Sequence, residues 1–263
     1  MLVQAPPETR PHRCQDTHEA GPVRFALLGP VEVWHGPERL SVGGARQRGL
    51  IAALALRAGQ PVGIDPLIEG AWGHAAPARA PRQITTAISW LRSRLRLPVR
   101  RSGPGYVLDV DPDQVDALLF GRLVGESGRG ATGSRTADAV SALRAALALW
   151  HGKALGGVCG LRAHSEELEA RRVCALRRLF ALESAAGQHL RVIPELRALI
   201  VEQPLNEVWH ALLMKALYRA GRQVDALKVY DDARRVLHAE LGVEPGRELR
   251  ALAQAIRAGT GRS

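Results

Sequence analysis

The sequence predicts an α+β domain followed by an all-α domain. Three observations support this fold class. Short β-favouring runs bounded by Gly and Pro are confined to the front of the chain. Apolar residues at helical spacing fill the rest, in segments paired across short turns. The segment Asp111-Pro112-Asp113 interrupts both patterns, so we expect the two domains to cover residues 22–110 and 111–263.

The front domain is predicted to open with an antiparallel sheet. The turn signals Gly29-Pro30 and Gly36-Pro37 separate three strand-like runs. These runs cover residues 23–28, 31–35 and 39–42. The apolar period then changes to that of a helix, which begins at Ala45 and ends before Gly59.

Two further helices and a hairpin complete the front domain. Asp65 is expected to cap a short helix over residues 66–72. A third helix is predicted over residues 80–96, because apolar residues recur there at spacings of three and four. These residues are Ile84, Ile88, Leu91 and Leu95. A β-hairpin follows, formed by residues 97–101 and 106–110 around a Gly-Pro-Gly turn. The order of sheet, three helices and hairpin is that of a winged helix-turn-helix.

The domain over residues 111–263 is predicted to be helical throughout. Gly-rich and Pro-containing breaks separate helices at residues 114–124, 136–150, 165–190, 194–202, 207–219, 223–241 and 246–258. Helix pairs joined by short turns over this length predict an α-solenoid. One pair alternates small and large apolar residues as a tetratricopeptide repeat does, at Trp209, Leu212, Ala226, Leu227, Tyr230 and Ala233. We therefore expect a tetratricopeptide-like repeat domain.

Positive charge is concentrated in the front domain. The chain carries a formal net charge of +10, from 36 Lys and Arg against 26 Asp and Glu. Residues 22–108 hold 12 basic and 4 acidic side chains, whereas residues 111–263 hold 22 and 18. Arginines but no acids lie between Arg79 and Arg101. Because this run coincides with the third helix and the hairpin, it indicates an anionic partner rather than a merely solvated face.

The sequence lacks the patterns of enzymes, metal sites and membrane proteins. No P-loop, dinucleotide-binding Gly motif, zinc-protease motif or nucleophile elbow occurs, so we expect no catalytic residue and no cofactor. His12, Cys14 and His18 lie in residues 1–21, a polar segment predicted to be a disordered tail rather than half of a metal site. No apolar run approaches the roughly 18 residues of a membrane span. Three cysteines are too few and too widely spaced for a disulfide framework, which favours the cytoplasm.

The sequence resembles the Streptomyces antibiotic regulatory protein family over most of its length. The stretches that carry the resemblance are LLGPVEVW, GGARQRGLIAALAL, DPLIEGAWG, SWLRSRL with GPGYVLDV, ALALWHGKAL, and ALYRAGRQVDALKVYDDARRVLHAELGVEPGREL. The resemblance implies an OmpR-type winged-helix domain followed by a bacterial transcriptional activator domain. It also implies binding to direct repeats near the −35 region of promoters as side-by-side protomers. In the third helix, Thr86-Ala87 stands where the family often has Val-His, and Trp90 where it often has a basic residue.

The third helix supplies the candidate base-reading residues. Helical geometry places Arg82, Thr86 and Ser89 opposite the apolar stripe, where they can face base edges in a major groove. Arg suits guanine, and the short hydroxyl side chains allow close approach of the helix. Trp90 either covers the core from the side or lies against the sugar-phosphate backbone. The remaining candidates on this helix are Gln83 and Thr85.

Five arginines are candidates for contact with the DNA backbone. Arg92, Arg94 and Arg96 end the third helix and are expected to hold phosphates, which fixes register without reading sequence. Arg100 and Arg101 lie on the first arm of the hairpin, the wing, and suit the backbone or the adjacent minor groove. The sequence therefore predicts a reading helix flanked by phosphate-holding cations.

Together these features predict a transcriptional activator that binds double-stranded promoter DNA, is dimeric on that DNA, and contacts the RNA polymerase holoenzyme, including its sigma factor. The resemblance implies control of secondary-metabolite, antibiotic biosynthesis genes. Two alternatives stay open. One is a repressor or accessory regulator with the same reader, and the other is a helical scaffold whose front domain has lost DNA binding. Salt-dependent promoter binding and in vitro transcription separate these three functions.

Overall fold

The computed structural model describes residues 22–128 and 134–259, which form two compact units. The predicted tail, residues 1–21, lies outside the described residues. Of the described residues, the first unit contains 22–27, Val31–Asp116 and Gly157–Gly160. The second contains Leu28–Pro30, the described part of Ala117–Gly156, and 161–259. The division thus differs from two contiguous domains meeting at Asp111, because each unit takes a short segment from the other's part of the sequence.

The first unit opens with a three-stranded antiparallel sheet in the order β1-β2-β3. Its strands are β1 (Val23–Ala26), β2 (Glu32–His35) and β3 (Glu38–Leu40). Phe25 pairs with Val33, and both side chains are buried. The first strand is shorter than predicted because the Leu27 amide donates to the Asp116 Oδ1 at 2.7 Å, outside the sheet.

Three helices follow the sheet, at α1 (Ala45–Ala55), α2 (Ile64–Trp72) and α3 (Ala80–Arg94). The predicted cap of the second helix was wrong. Gly63 occupies the N-cap without a side-chain hydrogen bond, and Asp65 lies in the first turn, where its charge suits the helix dipole. Helices α1 and α2 cross closely at Gly49 and Gly70. A Cβ atom on Gly49 would lie only 2.0 Å from the Gly70 carbonyl oxygen.

Helix α3 buries the apolar stripe that the sequence predicts, since Ile84, Ile88, Leu91 and Leu95 are all at most 5% exposed. The helix ends at Arg94, two residues earlier than predicted. Its end is fixed by the Leu97 amide, which donates to the Leu91 carbonyl at 3.2 Å. That bond requires a left-handed residue in between, and Arg96 takes this place with φ 51°. Sequence periodicity could not show this, because Gly usually fills the position.

The wing is a two-stranded hairpin of β4 (Val99–Ser102) and β5 (Gly105–Leu108). Val62 extends it, because the Val62 amide donates to the Tyr106 carbonyl at 2.8 Å and the reverse bond is 2.9 Å. A Cβ atom on Gly105 would lie 2.0 Å from the Val62 carbonyl oxygen. Gly105 therefore allows the hairpin to join the strand-like residue before α2, which fixes the base of the wing.

The second unit is helical, as predicted. Its helices are α4 (Asp116–Ser127), α5 (Ser134–Leu147), α6 (Arg162–Ala185), α7 (His189–Glu202), α8 (Glu207–Arg219), α9 (Gln223–Leu241) and α10 (Arg247–Arg257). The prediction of one helix over residues 165–190 and a second beginning at Pro194 was wrong. The break lies at Gly187, which has φ 76°, and Pro194 lies inside α7. No helix in residues 22–128 and 134–259 is long and apolar enough to cross a membrane.

Two buried features organise the second unit. Trp209 is fully buried in α8, and its indole Nε1 donates to the Gln203 Oε1 at 3.2 Å. Glu183 is 1% exposed and accepts hydrogen bonds from the Arg144 Nη2 at 2.7 and 2.8 Å and from its Nε at 3.0 Å, while the Arg144 Nη1 donates to Glu195 at 2.7 Å. Burial lowers the pKa of Arg144, but hydrogen bonds to Glu195 and Glu183 outweigh it and leave that pKa above its ordinary value. The buried carboxylate is thus fully compensated.

The crossing of α1 and α2 predicts that a substitution of Gly49 inside α1 destabilises the protein much more than a substitution of Gly44 at the N-cap of α1. Gly49→Ala should lower the free energy of unfolding by about 1–3 kcal/mol, because a backbone oxygen cannot move aside cheaply. Gly44→Ser is the matched control. Gly44 is the N-cap of α1 and has an extended backbone, and a Cβ atom on it would lie 3.5 Å from the Gln47 Oε1, so Ser should be neutral or slightly stabilising. Urea unfolding of both variants tests this, and equal stability would contradict the close crossing.

Candidate nucleic-acid interface

The face of α3 opposite the core is exposed and carries the predicted base-reading residues. Arg82, Thr86 and Ser89 are all exposed. The Thr86 hydroxyl donates to the Arg82 carbonyl at 3.4 Å and the Ser89 hydroxyl to the Thr85 carbonyl at 3.1 Å. Both hydroxyls therefore lie close to the helix and keep their lone pairs available. The face therefore carries short side chains and one long basic side chain, Arg82, and this shape suits insertion into the major groove of DNA.

The two sides of this face differ. Thr85 is exposed on one side, with its hydroxyl 3.5 Å from the Pro81 carbonyl. On the other side, Gln83 and Trp90 line an apolar cleft of about 360 Å³ with residues of α1 and α2. Trp90 is half-buried there, which favours packing over a free contact with DNA.

Sequence reasoning missed Arg46, which opens α1 and lines the same cleft. Its guanidinium lies 5.7 Å from the centroid of the Trp72 ring. Arg46 is exposed, so it adds a cation beside the reading face without belonging to α3. Its position in the first turn of α1 is the only signal in the sequence, because the sequence does not show that the start of α1 lies beside α3.

Four of the predicted cations carry no competing negative charge. Arg82, Arg94, Arg96 and Arg101 are exposed, and no acidic side chain in residues 22–128 and 134–259 pairs with them. Exposed guanidinium groups without an internal partner are free to bind phosphate oxygens, and Arg does so through paired hydrogen bonds. The structure thus brings these four groups to the surface of one small unit.

Arg92 and Arg100 differ from these four because they contact the wing itself. The Arg92 Nε donates to the Val99 carbonyl at 2.6 Å, and its guanidinium lies 5.9 Å from the Tyr106 ring centroid. Arg92 therefore ties α3 to β4, a structural role that the sequence did not reveal. Arg100 pairs with Asp109 at 3.2 Å in an exposed ion pair, which is worth little on its own.

The described residues offer no alternative chemistry near this face. Among residues 22–128 and 134–259, no three His, Cys, Asp or Glu side chains lie together as metal ligands. Cys159 and Cys174 are exposed free thiols. The arrangement can bind anions and read groove edges.

Comparison with known proteins identifies the family. The model of the bacterial transcriptional activator domain matches residues 115–257. The regulatory protein DnrI of Streptomyces peucetius is 34% identical over 249 residues, which cover 89% of this chain and 92% of DnrI. The regulatory protein AfsR of Streptomyces griseus is 38% identical over 254 residues, but the matched part is 95% of this chain and only 26% of AfsR. The chain thus spans about a quarter of the length of AfsR.

A solved structure shows the same architecture. It is that of Mycobacterium tuberculosis EmbR in complex with a low-affinity phosphopeptide, which superposes with a TM-score of 0.78 at 30% sequence identity. The match covers 90% of this chain and 65% of the EmbR chain. Both the winged-helix unit and the helical unit are therefore shared with a protein of the same type. The chain belongs to the Streptomyces antibiotic regulatory protein family of transcriptional regulators and contains its bacterial transcriptional activator domain.

Proposed function

We propose that this protein is a sequence-specific DNA-binding transcriptional activator. The observation that carries the proposal is the exposed face of α3, where Arg82 and short hydroxyl side chains are flanked by arginines that have no acidic partner within residues 22–128 and 134–259. Base edges would be read by Arg82, Thr86 and Ser89, and phosphates would be held by Arg94, Arg96 and Arg101. Arg92 would support the wing and can add a phosphate contact through its remaining N–H groups.

The proposal extends to the partners that family membership supports. Two copies would bind direct repeats near the −35 region of a promoter, side by side, and the helical unit would support that dimer or contact the RNA polymerase holoenzyme. The regulated genes would be those of secondary-metabolite biosynthesis, and the protein would act in the cytoplasm. A repressor with the same reader is the second candidate, because the same interface would serve it equally well.

The dependence of DNA affinity on salt is the first prediction. Each phosphate neutralised by an Arg should contribute about 0.9 to the slope of log affinity against log salt, so that at least three backbone contacts give a slope of about 3 per protomer. Titration of the full chain with promoter duplex at several salt concentrations measures this slope. An affinity that does not change with salt would rule out these electrostatic contacts, and the absence of measurable binding would favour the scaffold.

The second prediction separates base reading from phosphate holding. Arg82→Ala and Thr86→Ala should relax discrimination at individual base positions, by about 1–3 kcal/mol where a good contact is lost. Arg101→Ala should weaken operator and scrambled duplexes alike and lower the salt slope by about one. Arg100→Ala should do so less, because Arg100 already pairs with Asp109.

Each variant is measured against both duplexes at two salt concentrations. All four side chains are exposed, so the fold should survive every change. If the α3 variants weaken both duplexes equally and the wing variants alone change base preference, the wing is the reader and the role proposed for α3 is wrong.

The third prediction distinguishes activator from repressor. Purified protein added to RNA polymerase holoenzyme and a template carrying its operator should raise transcript yield, because a regulator bound at the −35 region can hold polymerase at the promoter. Arg82→Ala should abolish the increase on the same template, which shows that operator binding is required. A decrease in transcript with the unmodified protein would establish the repressor.

A further inference from the structure

The second unit contains a groove that the DNA-binding proposal does not use. It lies between α6, α7 and α8 and has a volume of about 600 Å³. A second space of about 530 Å³ continues it, since both are lined by Ser184, Ala185 and Arg219. Tyr218 and His189 line the continuation. The two spaces adjoin at Ser184, Ala185 and Arg219, and together we call them the α6–α8 groove.

The α6–α8 groove is cationic. Arg177, Lys215 and Arg219 line it and are exposed. No acidic side chain in the described part of the chain forms an ion pair with any of the three. On α6, the acidic residue closest in sequence to Arg177 is Glu183. Its carboxylate is buried and paired with Arg144, so it does not neutralise the cations of the groove.

Acidic side chains lie near one end of the groove and are absent from the lining of the other end. At one end, Glu207 and Glu248 line a small cavity of about 80 Å³ together with Arg177 and Lys215. The Glu207 carboxylate is engaged there by the Gly246 amide at 2.7 Å. Arg219 lines only the other two spaces, away from these acids. Arg177 and Lys215 therefore lie near two carboxylates, whereas Arg219 lies at the part of the groove without acidic lining.

Apolar side chains lie among these cations. Phe180 and Leu196 are buried and Leu212 is half-buried, and all three line the groove. Of the three, Leu212 alone keeps exposed surface, and a bound free anion would leave that surface uncovered. A duplex would meet only the rim, because a concave channel between helices cannot present its floor to a convex phosphate backbone. An extended peptide fits both features, since its side chains alternate along a channel.

We propose that the α6–α8 groove binds an acidic peptide segment of a partner protein in an extended conformation. Its carboxylates would pair with Lys215, Arg219 and Arg177, and an apolar side chain between them would cover Leu212. Exposed ion pairs contribute modestly one by one, so binding of such a segment would be weak and salt-sensitive. The groove would thus act as a reversible docking surface, independent of the reading face of α3.

The test uses the full chain and a fluorescein-labelled peptide of Asp and Glu around a central Leu. Fluorescence anisotropy should show binding to this peptide and not to its Asn and Gln counterpart. The double variant K215Q/R219Q should raise the Kd about tenfold, the effect of losing two exposed charge contacts. The matched control is K228Q/R247Q, which removes one Lys and one Arg from exposed positions on α9 and α10 and should change the Kd less than about twofold.

Two cysteines give a direct readout of location. Cys174 lines the groove and Cys159 does not, and both are exposed free thiols. Saturating peptide should slow alkylation of Cys174 and leave alkylation of Cys159 unchanged, as measured by mass spectrometry of the digested protein. Thermal melts of the variants confirm that both remain folded.

Any of four results would overturn the proposal. The acidic and the neutral peptide could bind alike, the two double variants could weaken the peptide equally, or Cys174 could stay unprotected. A loss of affinity for random duplex DNA in K215Q/R219Q, with peptide binding intact, would also overturn it and assign these cations to DNA. Operator binding by the unmodified protein is measured separately, so failure here leaves the DNA-binding proposal standing.

Discussion

The close crossing of α1 and α2 is the constraint on which the reading surface depends. Gly49 and Gly70 let the two backbones approach to a distance that no larger side chain permits. With α1 and α2 so close, the unit keeps a compact core into which α3 inserts its apolar stripe, and the opposite face of α3 is thereby turned to solvent. Gly105 does the same for the wing, where it admits the Val62 carbonyl. Two backbone contacts thus set the positions of α3 and the wing, the two elements that we propose bind DNA.

The arginines of the first unit serve two different purposes. The Arg92 Nε donates a hydrogen bond to the Val99 carbonyl in the wing and thereby holds β4 against α3. Arg94, two residues later in the same helix, is exposed and has no acidic partner among the described residues. A cation that stabilises the fold and a cation that is left for a ligand can therefore be neighbours in sequence. Only the position of each side chain around the helix separates them.

This distinction also explains what could be predicted from the sequence. The stripe from Ile84 to Leu95 was read correctly because burial of one helix face leaves a period in the sequence. Pro194 and Gly187 were misread because proline usually marks a helix boundary, whereas here Pro194 lies inside α7 and the left-handed Gly187 follows the end of α6. The contacts of Gly49, Arg92 and Arg46 left no local signal, because each depends on a residue distant in sequence that only the fold brings near.

Judged by net charge alone, the helical unit is nearly neutral, because acidic residues almost equal basic residues in number over residues 111–263. The structure shows why that balance is misleading. Glu183 forms an ion pair with Arg144. Several other acids pair with cations one turn away on their own helices, as Glu166 does with Arg162 and Glu167 with Arg171. The acids are thus used locally, and Lys215 and Arg219 remain without a partner in the described chain. A ligand surface in such a unit is defined by the charges left over after internal pairing rather than by their sum.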